Sequence, residues 1–209
     1  MNNKKPNLDL AYALETVQDN RELYASWATD YDKDFASSMD YILPNQVAQI
    51  FLNMGGIGPV LDLVAGTGLG GQALAKLGIN PIDALDLSDE MLEVAAKKKI
   101  YRSLFTSDIT QRIETSNYLY QGVISSGTFT HGHVGPNAID NLLSVASTGA
   151  LFALSINKKH WFEKGFAKKF EALSSSIEKL ILHDVEIYGK NSKGEHSDDL
   201  GVVATFCKV

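Results

Sequence analysis

Residues 60–71 read Val60-Leu61-Asp62-Leu63-Val64-Ala65-Gly66-Thr67-Gly68-Leu69-Gly70-Gly71. The short apolar run, bounded by Pro59 and by glycines, reads as a buried strand ending in a tight turn. Ala73-Leu74-Ala75-Lys76-Leu77 continues as a helix, closed by Gly78. A turn this rich in glycine lets a ligand come close to the backbone, and the helix start presents N–H groups without intrahelical partners.

Outward from this unit the pattern repeats. Ile82 to Leu87 reads as a second strand ending on an acid, Asp86. Ser88 caps the next helix; Asp89 and Glu90 fall in its first turn and Lys97 to Lys99 in its last, as the helix dipole favours. Further strands are expected at 100–105, 120–125 and 150–156. Helical stripes are expected through Ile139, Leu142, Leu143 and Ala146, and over 159–174 through Phe162, Phe166, Phe170 and Leu173. Upstream, 8–36 reads as helical with a break near Asp19-Asn20, and 44–54 as an amphipathic helix between Pro44 and Gly55. Two last strands, near 178–188 and 200–208, have no helix between them and are expected to pair as an antiparallel hairpin. Alternating strands and helices predict a mostly parallel sheet covered on both faces, with its ligand at the carboxyl ends of the strands.

The bulk numbers set outer limits. At 209 residues, 44% hydrophobic and 21% charged, the chain suits one globular domain. The single cysteine, Cys207, excludes a disulfide within the chain and lies in an apolar run that suits a buried thiol. The formal charge of −6 does not suit a phosphate-gripping surface. No apolar stretch approaches the ~20 residues of a membrane span, and the N-terminus has no apolar signal core, so a cytoplasmic protein is expected.

Asp86 at the end of the second strand can accept hydrogen bonds from both hydroxyls of a ribose. With the glycine turn, it points to an adenosine-containing ligand. Gly66, Gly68 and Gly71 also satisfy the G-x-G-x-x-G spacing of dinucleotide-binding turns, so a nicotinamide cofactor is an alternative. Asp62 disfavours it: a carboxylate before the glycines suits a ligand with an ammonium and a sulfonium and repels a pyrophosphate.

Val60–Gly70 resembles motif I of class I S-adenosylmethionine-dependent methyltransferases, and Ala84 to Leu92 is similar to their second motif. Thr106-Ser107-Asp108-Ile109 resembles the segment after their third strand, and Val123 to Gly127 their fourth-strand motif. Tyr24 to Asp32 resembles the N-terminal helix of the small-molecule branch. The resemblance implies a Rossmann-like α/β fold with a seven-stranded, mostly parallel sheet, helices on both faces and an antiparallel C-terminal hairpin. It implies one domain over 1–209, with a helical cap at 1–55 and the cofactor-binding core at 56–209. S-adenosylmethionine is the implied cofactor and S-adenosylhomocysteine the product. The implied cofactor residues are Tyr24, Tyr31, Asp62, Val64, Ala65, Gly66, Gly68, Asp86, Leu87, Met91, Asp108, Ile109 and Ser125. Val64 departs from the family, which often carries glycine there. A β-branched residue avoids positive φ and narrows the space beside the methionine tail.

The implied reaction is in-line methyl transfer to a small acceptor bearing a hydroxyl, carboxyl, amine or thiol. The stretch Gly127-Thr128-Phe129-Thr130-His131-Gly132-His133 follows the fourth strand, where the acceptor should sit, and His131 and His133 are the candidate bases. Trp27, Tyr31, Phe35 and Phe129 are candidate apolar walls, and His160 and Trp161 candidate neighbours of the acceptor. No metal site is expected. A nucleic-acid or protein methyltransferase is a further alternative. It is disfavoured by the negative charge and by Ser125-Ser126-Gly127-Thr128 standing where amino-methylating nucleic-acid enzymes carry an Asn/Asp-Pro-Pro-aromatic motif.

Overall fold

The computed structural model describes residues 16–114, 119–129, 134–194 and 196–209. Helix α1 (Val17–Trp27) leads into a π-helix (Tyr31–Ser37), then α2 (Leu43–Asn53). The alternating part runs β1 (Val60–Leu63), α3 (Leu69–Lys76), β2 (Ile82–Asp86), α4 (Asp89–Lys97), β3 (Ser103–Thr106) and β4 (Tyr120–Phe129). It continues through α5 (Ala138–Ser144), β5 (Ala146–Asn157), α6 (His160–Glu163), α7 (Phe166–Ala172), β6 (Ile177–Glu186) and β7 (Leu200–Lys208).

These strands form one sheet in the order β3-β2-β1-β4-β5-β7-β6. Only β7 runs antiparallel, between β5 and β6, so β6 points the same way as the parallel strands. The order reverses between β1 and β4, which leaves a crevice at their carboxyl ends. Strand alternation divides the core. Leu61, Leu63, Val123, Phe152 and Leu154 pack on one face, beneath α5, α6 and α7. Val60, Ile124, Leu151 and Ala153 pack on the other, beneath α1, the π-helix, α2 and α3. Burial on both faces explains why the central strands β1, β2, β4 and β5 read as apolar runs.

Several expected boundaries move. Asp19-Asn20 is the start of α1, not a break: the Thr16 hydroxyl accepts from the Asp19 N–H and caps the helix. The expected helix over 8–36 breaks instead at 28–30, where Asp30 N–H turns back to the Trp27 carbonyl; its first residues, 8–15, lie outside the described ones. The third strand begins at Ser103 rather than 100, because Lys99 takes a positive φ and Tyr101 is drawn under the glycine turn. Ala146 opens β5 instead of ending a helix. The helix expected over 159–174 is divided at Gly165, whose φ of 82° no helix tolerates. That division leaves Phe162 79% exposed and turns Trp161 inward onto Phe170 instead.

Asp83, on β2, is fully buried and accepts two hydrogen bonds from the Arg102 guanidinium, at 2.9 and 2.7 Å, and one from the Tyr120 hydroxyl at 2.8 Å. Removing one partner of such a group leaves buried polarity uncompensated. Asp83→Ala should therefore lower stability by about 3 kcal/mol, seen as a shifted urea midpoint at unchanged slope. A loss within ~0.5 kcal/mol, as at an ordinary surface position, would show that water replaces the carboxylate there.

Candidate functional site

The glycine turn is held by two buried carboxylates. Asp62 is 1% exposed, and its Oδ2 accepts from the Gly71 N–H at 2.7 Å and from the Tyr101 hydroxyl at 2.7 Å. Tyr101 in turn dictates the glycines. A Cβ at Gly68 would lie 2.9 Å from its ring, and one at Gly71 within 2.3 Å of its hydroxyl oxygen. Gly68, at φ 89°, also opens α3. Asp86 is the second carboxylate. Its Oδ2 accepts from the Gly66 N–H at 2.7 Å and its Oδ1 from the Ser88 N–H at 2.9 Å.

A cleft opens where the strand order reverses. Its lining includes Val64, Ala65 and Gly66 from the turn, and Asp86, Leu87, Met91, Asp108 and Ile109 from the ends of β2 and β3 and from α4. Tyr24 and Tyr31 line it from the N-terminal helices. Ten of the residues implied by the family resemblance thus meet on one surface. Gly66, at φ 54°, has open space where a side chain would project.

Three implied residues stand elsewhere. Asp62 faces the start of α3, so any effect it has on a ligand passes through the turn. Gly68 packs on Tyr101. Ser125 is fully buried, with its hydroxyl on Thr128 at 2.5 Å; the next two residues of β4, Ser126 and Gly127, line the cleft instead. His131 and His133 lie outside the described residues. Of the expected walls, Tyr31 and Phe35 line the cleft, whereas Trp27 and Phe129 are in the core. His160 and Trp161 are absent from the lining. Among the described residues no cluster of His, Cys, Asp or Glu suits a metal ion.

Sequence reading missed Arg21, Tyr41, Ile187 and Tyr188, which also line the cleft. Tyr41 and Tyr188 meet through an isolated antiparallel bridge, supported by Ile42 and Leu43 N–H groups on the Ile187 carbonyl. No local signal marks them, because the site is made by two segments far apart in sequence.

The N-terminal cover is tied to the glycine turn through Asp32. The Thr67 hydroxyl donates to Asp32 Oδ1 at 2.5 Å; Lys98 Nζ donates to Asp32 Oδ2 at 2.6 Å and to the Thr67 carbonyl at 2.7 Å. Asp32 sits in the π-helix, an irregular form common at functional sites.

No protein-family model matches the chain. It is 29% identical over 151 residues to methyltransferase-like protein 27 of Homo sapiens, a match covering 69% of this chain and 60% of that protein. The chain thus spans less than two thirds of that relative's length. Among solved structures it is similar to DhpI in complex with SAH, with a TM-score of 0.62 and 20% identity over 90% of this chain and 94% of that one. It is also similar to the N-methyltransferase NodS from Bradyrhizobium japonicum in complex with S-adenosyl-l-homocysteine. There the TM-score is 0.59, with 14% identity over 79% of this chain and 85% of that one. The fold is that of the class I methyltransferases, as the sequence resemblance implied.

Two predictions follow from the turn. Burial pushes the Asp62 carboxyl up to about 6, against the opposing pull of the Tyr101 and Gly71 hydrogen bonds. The folded state therefore holds this proton more tightly than the unfolded chain. The stability it contributes is complete below 3.8 and is lost as pH rises through about 6. Thermal unfolding from pH 4 to 7 should show wild type losing on the order of 3 kcal/mol relative to Asp62→Asn; parallel profiles would remove Asp62 as the titrating group. Val64 has φ 50°, so the turn keeps the left-handed geometry despite the β-branched side chain. Val64→Gly should be more stable than Val64→Ala by about 1 kcal/mol, the reverse of the usual order. Alanine proving the more stable would mean that the backbone there is relaxed.

Proposed function

We propose that this protein is a methyltransferase that uses S-adenosylmethionine to methylate a small acceptor. The observation that carries this reading is Asp86. A buried carboxylate stands at the end of β2, on the cleft, where its two oxygens accept from the Gly66 and Ser88 N–H groups and are further held by the Leu87 N–H. Vicinal ribose hydroxyls fit that pair of acceptors. Leu87, Met91 and Ile109 provide the apolar slot beside it for an adenine, and Asp108 an acceptor for its amino group. Ala65, Gly66 and Gly127 leave room for the methionine tail.

When bound, the cofactor supplies an electrophilic methyl on sulfur. The chain's part is to position the acceptor in line with it and to exclude water; positioning of this kind supplies several kcal/mol of barrier reduction. Tyr24 and Tyr31 cover the cleft from the N-terminal side, fastened through Asp32. Burial raises Tyr24 to about 12 and Tyr31 well above its ordinary value, so both phenols stay neutral. His131 and His133 are the proposed proton acceptors, on sequence grounds alone.

The nicotinamide alternative is disfavoured by the turn itself. A dinucleotide pyrophosphate needs the free N–H groups at the start of the helix, and here the Gly71 N–H is taken by Asp62. The human relative, by its name, and NodS, as an N-methyltransferase, support the methyltransferase reading.

Calorimetric titration tests it. S-adenosylhomocysteine should bind and NAD should not. Asp86→Ala should weaken S-adenosylhomocysteine roughly 100-fold, the loss of two hydrogen bonds to a charged acceptor. Unchanged affinity would take Asp86 off the ribose, and binding of NAD alone would overturn the reading.

A further inference from the structure

We propose that the methyl acceptor is a small amine carrying positive charge, seated against Phe35, Tyr41 and Tyr188. This rests on the methyltransferase reading. The cleft crosses the carboxyl ends of the strands from Asp86 on β2 to Gly127 on β4 and on to Tyr188, just beyond β6. Adenosine occupies the Asp86 end, which leaves the Tyr188 end for the acceptor.

That end is a wall of aromatic rings. The centroids of Phe35 and Tyr41 lie 5.3 Å apart, those of Tyr41 and Tyr188 5.9 Å, and those of Phe35 and Tyr188 6.2 Å. Tyr31 extends the wall toward the cofactor, 4.9 Å from Phe35. The Tyr41 hydroxyl reaches over the β4 backbone, 2.6 Å from where a Cβ on Gly127 would stand. Only glycine at this point leaves room for the phenol, so the ring is built into the cleft. Burial raises Tyr41 far above its ordinary value, with Tyr188 and Tyr24 adding to the effect, so its phenol remains neutral.

Electron-rich ring faces and phenol oxygens attract a cation and its N–H groups. The ring faces disfavour a carboxylate or phosphate, which would find only phenol O–H groups to donate to it. Among the described residues the only cationic side chain on the cleft is Arg21, on α1, and it lies 3.9 Å from Asp89 on α4 rather than at this end. On an amine the lone pair is the nucleophile once one proton has passed to water. That pair forms the new N–CH3 bond as the C–S bond breaks, and the C–S electron pair stays on sulfur as the neutral thioether. Per turnover an ammonium becomes a more methylated ammonium, and one proton is released.

The test is calorimetric titration of the full chain in phosphate buffer, which contains no competing amine. The probes are S-adenosylhomocysteine, choline, and 3,3-dimethylbutan-1-ol, which has the shape of choline without its charge. Choline should bind more tightly than the uncharged alcohol by roughly 5–30-fold. Tyr188→Leu should lose most of that preference and Tyr188→Phe keep it, with S-adenosylhomocysteine binding as the check that each variant is folded. If wild type binds S-adenosylhomocysteine but does not favour choline, the cation site is wrong and the methyltransferase reading stands. If S-adenosylhomocysteine does not bind wild type, the reading beneath it falls as well.

Discussion

Burying the Asp62 carboxylate is the constraint around which the turn is arranged. A carboxylate taken from water costs several kcal/mol unless hydrogen bonds replace its hydration. Here they come from the Gly71 N–H and the Tyr101 hydroxyl. Each donor imposes a further condition. Gly71 must belong to the first turn of α3, where its N–H has no intrahelical partner. Tyr101 must lie beneath the turn, which excludes side chains at Gly68 and Gly71. Gly70 is constrained by the same acid, since a Cβ there would stand 3.0 Å from Asp62 Oδ1. The glycine pattern thus reflects internal packing as much as ligand access. Gly66, open to the cleft, has no such neighbour.

From that turn the site extends by hydrogen bonds to segments far away in sequence. Gly66 joins it to Asp86 on β2, and Thr67 joins it to Asp32 in the π-helix. The far wall is fixed differently. Asp40 and Tyr41 are held by backbone contacts to Ile187, Tyr188 and Gly189, with the Asp40 carboxylate accepting from the Asn191 backbone and side chain. The N-terminal cover therefore rests on the glycine turn at one end and on the C-terminal hairpin at the other. The ring contacts among Tyr24, Trp27, Tyr31, Phe35, Tyr41 and Tyr188 fill the space between. Such contacts contribute about 0.5–1.5 kcal/mol per pair beyond area burial, enough to make the cover one body.

The legible parts of this architecture were those with local causes. Strand β1, its glycine turn and α3 follow from adjacent residues, and Asp86 follows from its place at the end of the next strand. Ser88 caps α4 through the Met91 N–H, as its type and position suggest. Ser125 is buried while Ser126 and Gly127 line the cleft, where the register shifts after Ser125 and Gly127 takes a positive φ; sequence pattern does not reveal such an irregularity. Tyr41 and Tyr188 were invisible, since a bridge between distant segments has no periodic signature. Asp62, whose place before the glycines suggests a ligand contact, has internal partners: it accepts from the Gly71 N–H at the start of α3 and from the Tyr101 hydroxyl.

The Gly71 contact bears on ligand charge. In a dinucleotide-binding turn the helix start offers its N–H groups and its positive dipole end to a pyrophosphate. Here the N–H groups of Gly66, on the cleft, and of Gly71, at the helix start, are already directed at carboxylates of the chain itself. An incoming anion would meet donors that are occupied, with Asp62 and Asp86 behind them. At 4 Å, two like charges repel by about 4 kcal/mol at the effective dielectric of a protein surface. A ligand whose reactive end is cationic faces no such cost and gains from the same field. The local electrostatics therefore favour a sulfonium over a pyrophosphate, through backbone geometry that the glycine spacing alone does not distinguish.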